Sequence, residues 1–369
     1  MNRVHYCIII LPRKGYMKKR FAIVGCGNIA KKHVQVIENR LENAEIVAFQ
    51  DIIPQRASAF AEKSNACAYS SVEAMMDDRG DSIDIINILT PSGDHYKKVL
   101  ELVRYGKPLV VEKPIALRLD EADQIIQECD RYGVRLFVVH QNRYNLPIIK
   151  AREALEQGRF GKMVLGTVRV RWKRDQAYYD SAAWRGTWTY DGGVLTNQAS
   201  HHIDMLTWFM GSVESVQAMI STRLVTIECE DTGAALFRFE SGALGIIEAT
   251  TAARPKDLEG SISILGEKGS VVIGGFYMNK LETWEFTDHQ PIDDVIFEKY
   301  GTNPDIPGYN LGEYLKGVIS ALETRKAALV DGIEARKSLE LISAMYESVE
   351  TGREVNLRFK PKQCRLGIG

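Results

Sequence analysis

The stretch "RFAIVGCGNIA" (Arg20–Ala30) constrains the fold more than any other in the 369-residue chain. Arg20–Val24 is a short run of apolar and β-branched residues, which reads as a buried strand. Gly25 permits a tight turn, and Gly27 lets the backbone approach a ligand closely. Ala30 stands where a third small residue packs a helix on the strand. "IAKKHVQVIENRL" then carries Ala30, Val34, Ile37 and Leu41 at helical spacing. The helix start, with Asn28 and Ile29 in its first turn, offers unpaired N–H groups and a positive dipole end to an anion. Alone a G-x-G-x-x-A is weak, but the next strand, "EIVAFQD", ends in Asp51 about 20 residues on. A carboxylate there accepts both ribose hydroxyls of a dinucleotide. It also repels a 2'-phosphate, and Ile52-Ile53-Pro54 offers no arginine to compensate, so NAD is expected over NADP.

The pattern repeats to about Asn142. A helix begins at Pro54, followed by "DIINILT", "HYKKVLELVRYG", "PLVVEKP", "DEADQIIQECDRYG" and "RLFVVHQ". Strands alternating with helices give right-handed βαβ units and a doubly wound parallel sheet of Rossmann type. After residue 150 the rhythm changes. "MVLGTVRVRWKR" sets Val164, Val168, Val170 and Trp172 on one side and Thr167, Arg169, Arg171 and Lys173 on the other. This predicts a strand with one open, basic face. Hairpins are expected at Ser241-Gly242 and Gly266–Gly269, and a helical tail from about Gly312 to Glu350. The fold class is therefore α/β: a Rossmann domain, then an α+β domain with an open-faced, mostly antiparallel sheet. The expected division is residues 17–143 for the first and 144–358 for the second, with 1–16 an extension and 359–369 a tail.

Other classes fall away. Lys and Arg number 47 against 48 Asp and Glu, so nothing suggests general affinity for nucleic acid or an anionic membrane. No apolar run approaches the roughly 18 residues of a membrane span. The five-residue run Cys7–Leu11 is too short for a signal peptide. Six scattered cysteines without a CxxC pair predict neither a disulfide framework nor a metal site, and fit the cytoplasm.

"VVEKP" (Val110–Pro114) places Glu112 and Lys113 at a strand's carboxyl end, where such sheets bind ligands. A lysine beside an oxidised nicotinamide ring loses proton affinity through burial and the ring's charge, which suits a proton acceptor. "TNQASHHID" (Thr196–Asp204) adds two histidines. Asn197 and His201 share a face if the stretch is helical, and His202 is turned about 100° away. Which of the two is chemical is decided by a family resemblance, which points to His201; His202 is then left to packing or a structural hydrogen bond, and Asp204 to a structural partnership.

"GCGNIA", "TPSGDHY" (Thr90–Tyr96), "EKP" and the "GG…H..D" stretch together resemble the glucose–fructose oxidoreductase, inositol dehydrogenase and rhizopine-catabolism superfamily, over about residues 19–357. The resemblance implies that Lys113 and His201 flank the substrate carbinol carbon. It implies a cofactor set of Gly25, Gly27, Asn28, Ile29, Asp51, Leu89, Thr90, His95, Glu112, Lys113, Gln141, Trp184 and Arg185. The family's D-x-x-x-H motif falls on Asn197–His201, with asparagine in place of the aspartate. A neutral Asn197 orients by hydrogen bonds and cannot electrostatically stabilise an imidazolium.

Longer blocks carry a narrower resemblance: "QNRYNLPI" (Gln141–Ile148), "YYDSAAWRGTW" (Tyr178–Trp188), "DGGVLTNQASHHIDML" (Asp191–Leu206) and "LEGSISILGEKG" (Leu258–Gly269). These are similar to the UDP-N-acetyl-2-amino-2-deoxyglucuronate 3-dehydrogenases of bacterial surface-polysaccharide (lipopolysaccharide O-antigen) synthesis. That resemblance implies a nucleotide-sugar substrate held by Lys113, Asn142, Arg143, Arg174, Tyr178, Asn197 and His201. It further implies hydride transfer from sugar C3, with a keto acid such as 2-oxoglutarate as one route for reoxidising NADH. Arg169, Arg171, Lys173, Arg174 and Arg185 are candidate cations for diphosphate and carboxylate; the strand residues fit a subunit interface equally well. Tyr178 and Tyr179 suit stacking, and Trp188 suits a core. Either Lys113 or His201 takes the hydroxyl proton, with Lys113 favoured. The open sheet suggests a homotetramer. The competing expectations are a polyol or inositol dehydrogenase of the same superfamily, which needs no diphosphate site, and a dinucleotide-binding regulator, against which the Lys113–His201 pair argues.

Overall fold

The computed structural model describes residues 18–327 and 329–357. The stretches 1–16 and 359–369 lie outside the described residues. The first half runs β1 (Lys19–Val24), α1 (Asn28–Arg40), β2 (Ala44–Gln50), α2 (Pro54–Ser64), β3 (Cys67–Tyr69), α3 (Val72–Arg79), β4 (Ile85–Ile88), α4 (His95–Leu102), β5 (Leu109–Val111), α5 (Leu119–Arg131) and β6 (Leu136–Val138). The six strands are parallel in the order β3-β2-β1-β4-β5-β6. The order reverses between β1 and β4, the switch point at which such sheets open a ligand crevice.

β1 shows why these strands read as continuous apolar runs. Phe21 and Ile23 belong to the core under α1 and α2, whereas Ala22 and Val24 belong to the core under α3, α4 and α5. Both faces are covered, so no position is left for polar alternation.

The second half follows as α6 (Leu146–Glu156), β7 (Met163–Arg171), α7 (Gln176–Asp180), a π-helical turn (Val194–Gln198), α8 (Ser200–Met210), β8 (Val213–Ser221), β9 (Thr232–Phe239), β10 (Leu244–Thr250), β11 (Glu259–Gly266), β12 (Gly269–Gly274), β13 (Lys280–Phe286), α9 (Ile296–Tyr300), α10 (Tyr309–Thr324), α11 (Gly332–Thr351) and β14 (Val355–Asn356). Its sheet has the order β13-β12-β11-β7-β10-β9-β8-β14, antiparallel except for the β7–β10 pair. Val168 and Val170 face α8 in a shared core with Ile247, Ile262 and Phe237. The opposite face is open and more apolar than the sequence suggests: Met219, Leu236, Leu244 and Ile246 are all exposed there beside Arg169. Val164 departs from the expected alternation and is 52% exposed. The register against β11 shifts at that point, because Gly266 pairs with Met163 while Leu265 pairs with Leu165.

The expected helical tail is two helices, and they serve different sheets. Leu311, Tyr314, Leu315, Val318 and Ile319 of α10 are buried in one core with Phe21, Val110, Phe137 and Val139. Helix α10 thus completes a face of the first sheet that α1 and α2 leave bare. Helix α11, capped by Asp331 Oδ1 accepting from the Glu334 N–H at 2.9 Å, spans both halves. Ala335 and Leu339 pack with α5, while Leu341, Ile342 and Met345 pack beneath the second sheet. Among the described residues no helix is long and apolar enough to cross a membrane.

Candidate active site

The turn after β1 is built from constraints that only its own residues satisfy. Gly25 has φ +95°, and a Cβ there would lie 2.8 Å from the Leu89 and Thr90 backbone. Gly27 is different: a Cβ would meet nothing within 4 Å, so the space beside the α1 N-terminus is open to a ligand. No side chain caps α1, leaving the N–H groups of its first turn, at Asn28 and Ile29, without a capping acceptor. Asp51 is buried, and its orientation is set before any ligand arrives. Oδ2 accepts from the Cys26 N–H and Oδ1 from the Ile53 N–H, both at 2.8 Å. Thr90 Oγ1 and Gln141 Oε1 are buried without a protein partner. Open space, free N–H groups, a fixed carboxylate and orphaned polar atoms along one sheet edge fit a dinucleotide.

Glu112 and Lys113 are held from both sides. Asn87 Nδ2 lies 3.0 Å from His33 Nδ1, which leaves His33 Nε2–H to donate to Glu112 Oε1 at 3.0 Å. The His33 interaction and nearby Lys113 hold the Glu112 carboxyl below its ordinary value although burial pushes it up. His95 does not face outward: its two ring nitrogens lie 2.7 Å from Pro114 O and 3.0 Å from Thr90 O, tying the β4 and β5 ends together. Leu89 is buried in that same seam.

Lys113 Nζ crosses to the second half and donates to Asn197 O at 2.6 Å. Burial draws the lysine's pKa down, while Glu112 and Asp191 oppose the fall. His201, in the first turn of α8, is buried, with its ring near-perpendicular to that of His140, the centroids 5.9 Å apart, and Nδ1 unpartnered. Burial, then Lys113, His140 and His202, lower its pKa well below 6.5, so its imidazole is neutral at pH 7. Asn197 and His201 do not share one α-helix: Asn197 lies in the π-helical turn, which ends before α8 begins. Such turns recur at functional sites because they re-aim side chains.

Tyr178, Arg174 and Arg185 come together on this side. The Tyr178 hydroxyl accepts from Arg185 Nη1 at 2.5 Å and Gln198 Nε2 at 3.0 Å, and both guanidiniums lie over its ring. Arg185 also stacks on Trp184, and its Nε has no protein partner. Arg174 covers Trp172, which is itself stacked on Phe276.

The other sequence candidates are placed elsewhere. Arg143, expected at substrate, is buried and engaged by Asp204 in a two-pronged ion pair (2.9 and 2.7 Å), with Trp208 beneath it. Asn142 is buried, and its Oδ1 accepts from Asn310 Nδ2 at 3.1 Å, anchoring the start of α10. Arg169, Arg171 and Lys173 lie on the sheet face away from α8, where Arg171 pairs with Glu248 at 2.6 Å. Tyr179 is not available for stacking; it is buried, and its hydroxyl meets Thr251 Oγ1 at 3.0 Å. Trp188 is 49% exposed rather than core, because its loop leaves the second sheet to meet the first half, where the Gly93 N–H donates to Tyr190 O at 3.0 Å. His202 is fully buried edge-on to Trp172.

The model of an oxidoreductase family's NAD-binding Rossmann fold matches residues 19–140, and that of the same family's C-terminal alpha/beta domain matches residues 152–357. The chain belongs to the Gfo/Idh/MocA oxidoreductase family. The WlbA dehydrogenase from Bordetella pertussis, solved with NADH and UDP-GlcNAcA, is 40% identical with a TM-score of 0.89, covering 93% of this chain and 99% of that one. Its counterpart from Chromobacterium violaceum, in complex with the same two ligands, is 39% identical with a TM-score of 0.87, covering 96% and 100%. A myo-inositol 2-dehydrogenase of Thermotoga maritima is 26% identical, covering 92% of this chain and 98% of its own. The protein is an NAD-dependent oxidoreductase.

Within this Gfo/Idh/MocA site four residues escaped the sequence reading: His33, His140, Gln198 and Asp191. His33 lies on α1 and reaches Glu112 across 79 positions, a separation no local pattern reports. Asp191 had a signal, an acidic residue six before Asn197, but inside "DGG" it reads as an ordinary turn.

Proposed function

We propose that this NAD-dependent sugar or polyol dehydrogenase oxidises the C3 hydroxyl of UDP-N-acetylglucosaminuronate to the 3-keto sugar, a step in bacterial surface-polysaccharide synthesis. The observation that carries this reading is the likeness, at about 40% identity over nearly the whole of both chains, to two dehydrogenases solved with NADH and UDP-GlcNAcA. The site supports it chemically. Bound NAD supplies the hydride acceptor. Lys113, with its proton affinity lowered by burial, takes the hydroxyl proton as the C3–H hydride leaves. A neutral, weakly basic His201 orients the hydroxyl rather than competing for that proton. Arg174 and Arg185 are the cations nearest the aromatic wall, and planar guanidiniums suit a diphosphate or carboxylate. The apolar open face of the second sheet supports a homo-oligomer, with a tetramer as our reading, located in the cytoplasm.

The second reading is a polyol dehydrogenase, favoured by the 26% identity to a myo-inositol 2-dehydrogenase. Purified protein with NAD is mixed in separate cells with UDP-N-acetylglucosaminuronate and with inositol, following reduced-nicotinamide absorbance. A rise near one equivalent per subunit with the nucleotide sugar alone, suppressed by excess UDP, is expected. A rise only with inositol moves the chain to the second reading. Addition of 2-oxoglutarate after a positive result tests keto-acid reoxidation, and light scattering tests the tetramer.

A further inference from the structure

The turn "DGG" ahead of the π-helical segment buries a carboxylate that the proposed reaction does not use. Asp191 is 2% exposed. Its Oδ2 accepts from the Gly186 N–H at 2.7 Å, and its Oδ1 accepts from Asn197 Nδ2. Both donors are neutral, so neither answers the charge. The cations facing it are Lys113 and Arg185. Its place is rigidly set: a Cβ on Gly192 would strike the Thr196 side chain, and one on Gly193 would fall 2.1 Å from the Glu230 carboxylate. Asn197 is thus gripped twice, by Asp191 at its side chain and by Lys113 Nζ at its carbonyl, 2.6 Å away.

We propose that Asp191 is a positioning residue: through Asn197 it holds the Lys113 amine at the reacting centre, and it supplies there the negative charge that residue 197, being asparagine, lacks. A buried carboxylate with only neutral donors is costly unless a cation balances it, and a buried lysine is costly for the same reason. Each therefore stabilises the charged form of the other. Lys113 is faced by Glu112 from β5, Asp191 from the turn, Arg185 from the segment after α7, His95 from α4 and His201 from α8. Of the two carboxylates in that set, Glu112 already receives the His33 ring, whereas Asp191 is bonded only to amide N–H groups.

This rests on Lys113 being the proton acceptor, but its test needs no substrate. The pH dependence of Lys113 acetylation is followed by competitive labelling and peptide mass spectrometry on the full chain. In Asp191→Asn the pH at which Lys113 becomes reactive should fall, since a counter-charge is lost. Asp191→Glu should retain the wild-type profile, and the double variant Asp191→Asn/Asn197→Asp should restore it. In turnover of the substrate identified above, Asp191→Asn should lower kcat roughly tenfold or more with NADH affinity unchanged, and the double variant should recover most of it. If Asp191→Asn does not fold, the double variant, which keeps one carboxylate and one amide in the pair, should show the wild-type Lys113 profile. A Lys113 profile in folded Asp191→Asn that superimposes on wild type overturns the proposal, as does a double variant whose Lys113 profile departs from wild type. An inactive wild type on nucleotide sugars would sink the substrate reading and leave the labelling result standing.

Discussion

The two walls of the candidate active site are made in different ways. The wall carrying Gly25, Gly27 and Asp51 is almost all backbone: a glycine pressed on Leu89 and Thr90, free N–H groups, and a carboxylate clamped by two neighbouring amides. The wall carrying Asn197, His201 and Asp191 is a relay of side chains across a π-helical turn, with His201 Nδ1 and Arg185 Nε still unpartnered. Binding a cofactor that is the same in every cycle suits a rigid backbone cradle. Recognising and deprotonating a particular hydroxyl requires groups whose protonation and direction can be adjusted, which side chains provide.

Substitutions that act on one wall alone sharpen this contrast. The largest effect should come from Lys113→Ala, which removes the proposed proton acceptor and should lower kcat by about 10³-fold. His201→Ala should lower it by about 10²-fold, and in both variants fluorescence titration should give an NADH affinity within about threefold of wild type. A large loss of NADH binding in either would mean the two walls are not separable. Gly25→Ala should do the reverse. Strain at φ +95° and three backbone atoms at 2.8 Å should weaken NADH binding about ten- to a hundredfold. Turnover at saturating cofactor should change much less. The smallest effect is in the pH profile of kcat/KM. Activity should fall on the acid side as Lys113 becomes protonated, at a pH below the ordinary lysine value. His201, its proton affinity drawn down by burial, should add no second limb at the ordinary histidine value. A limb there that vanishes in His201→Gln would make His201 the proton acceptor instead.

The same contrast explains what could be read from the sequence. The first strand–helix–strand unit, with its glycine turn and Asp51, is encoded over about 30 contiguous residues, because a strand, a turn and a helix N-terminus are local structures. Lys113 and His201 were legible once motifs more than 80 residues apart were taken together. Arg143 and Asn142 read as substrate ligands because their residue types suit one. Only the fold reveals that Asp204, 61 positions away, engages the Arg143 guanidinium, and that Asn310, 168 positions away, engages Asn142 Oδ1 while Asn142 Nδ2 stays buried without a protein partner. Trp188 misled in the opposite sense: a large aromatic ring predicts a core, but its loop is spent on joining the two halves. The odd and even faces of β7 were legible from strict alternation, except at Val164, where a bulge breaks the period.

Helix α10 has a consequence for how the molecule is made. Its five buried side chains complete a face of the first sheet, yet they follow β6 by about 170 residues. Burial of that many large apolar groups is worth on the order of 10 kcal/mol before ordering costs, comparable to the whole stability of a typical domain. During synthesis at ~5–20 residues per second, the cofactor half therefore stays incomplete for roughly 10–30 s after its last strand is made. Seven of the eight strands of the second sheet, β7 to β13, are translated within that interval. The nucleotide-binding lobe, although first in the message, is thus completed among the last, after most of the second sheet has been made.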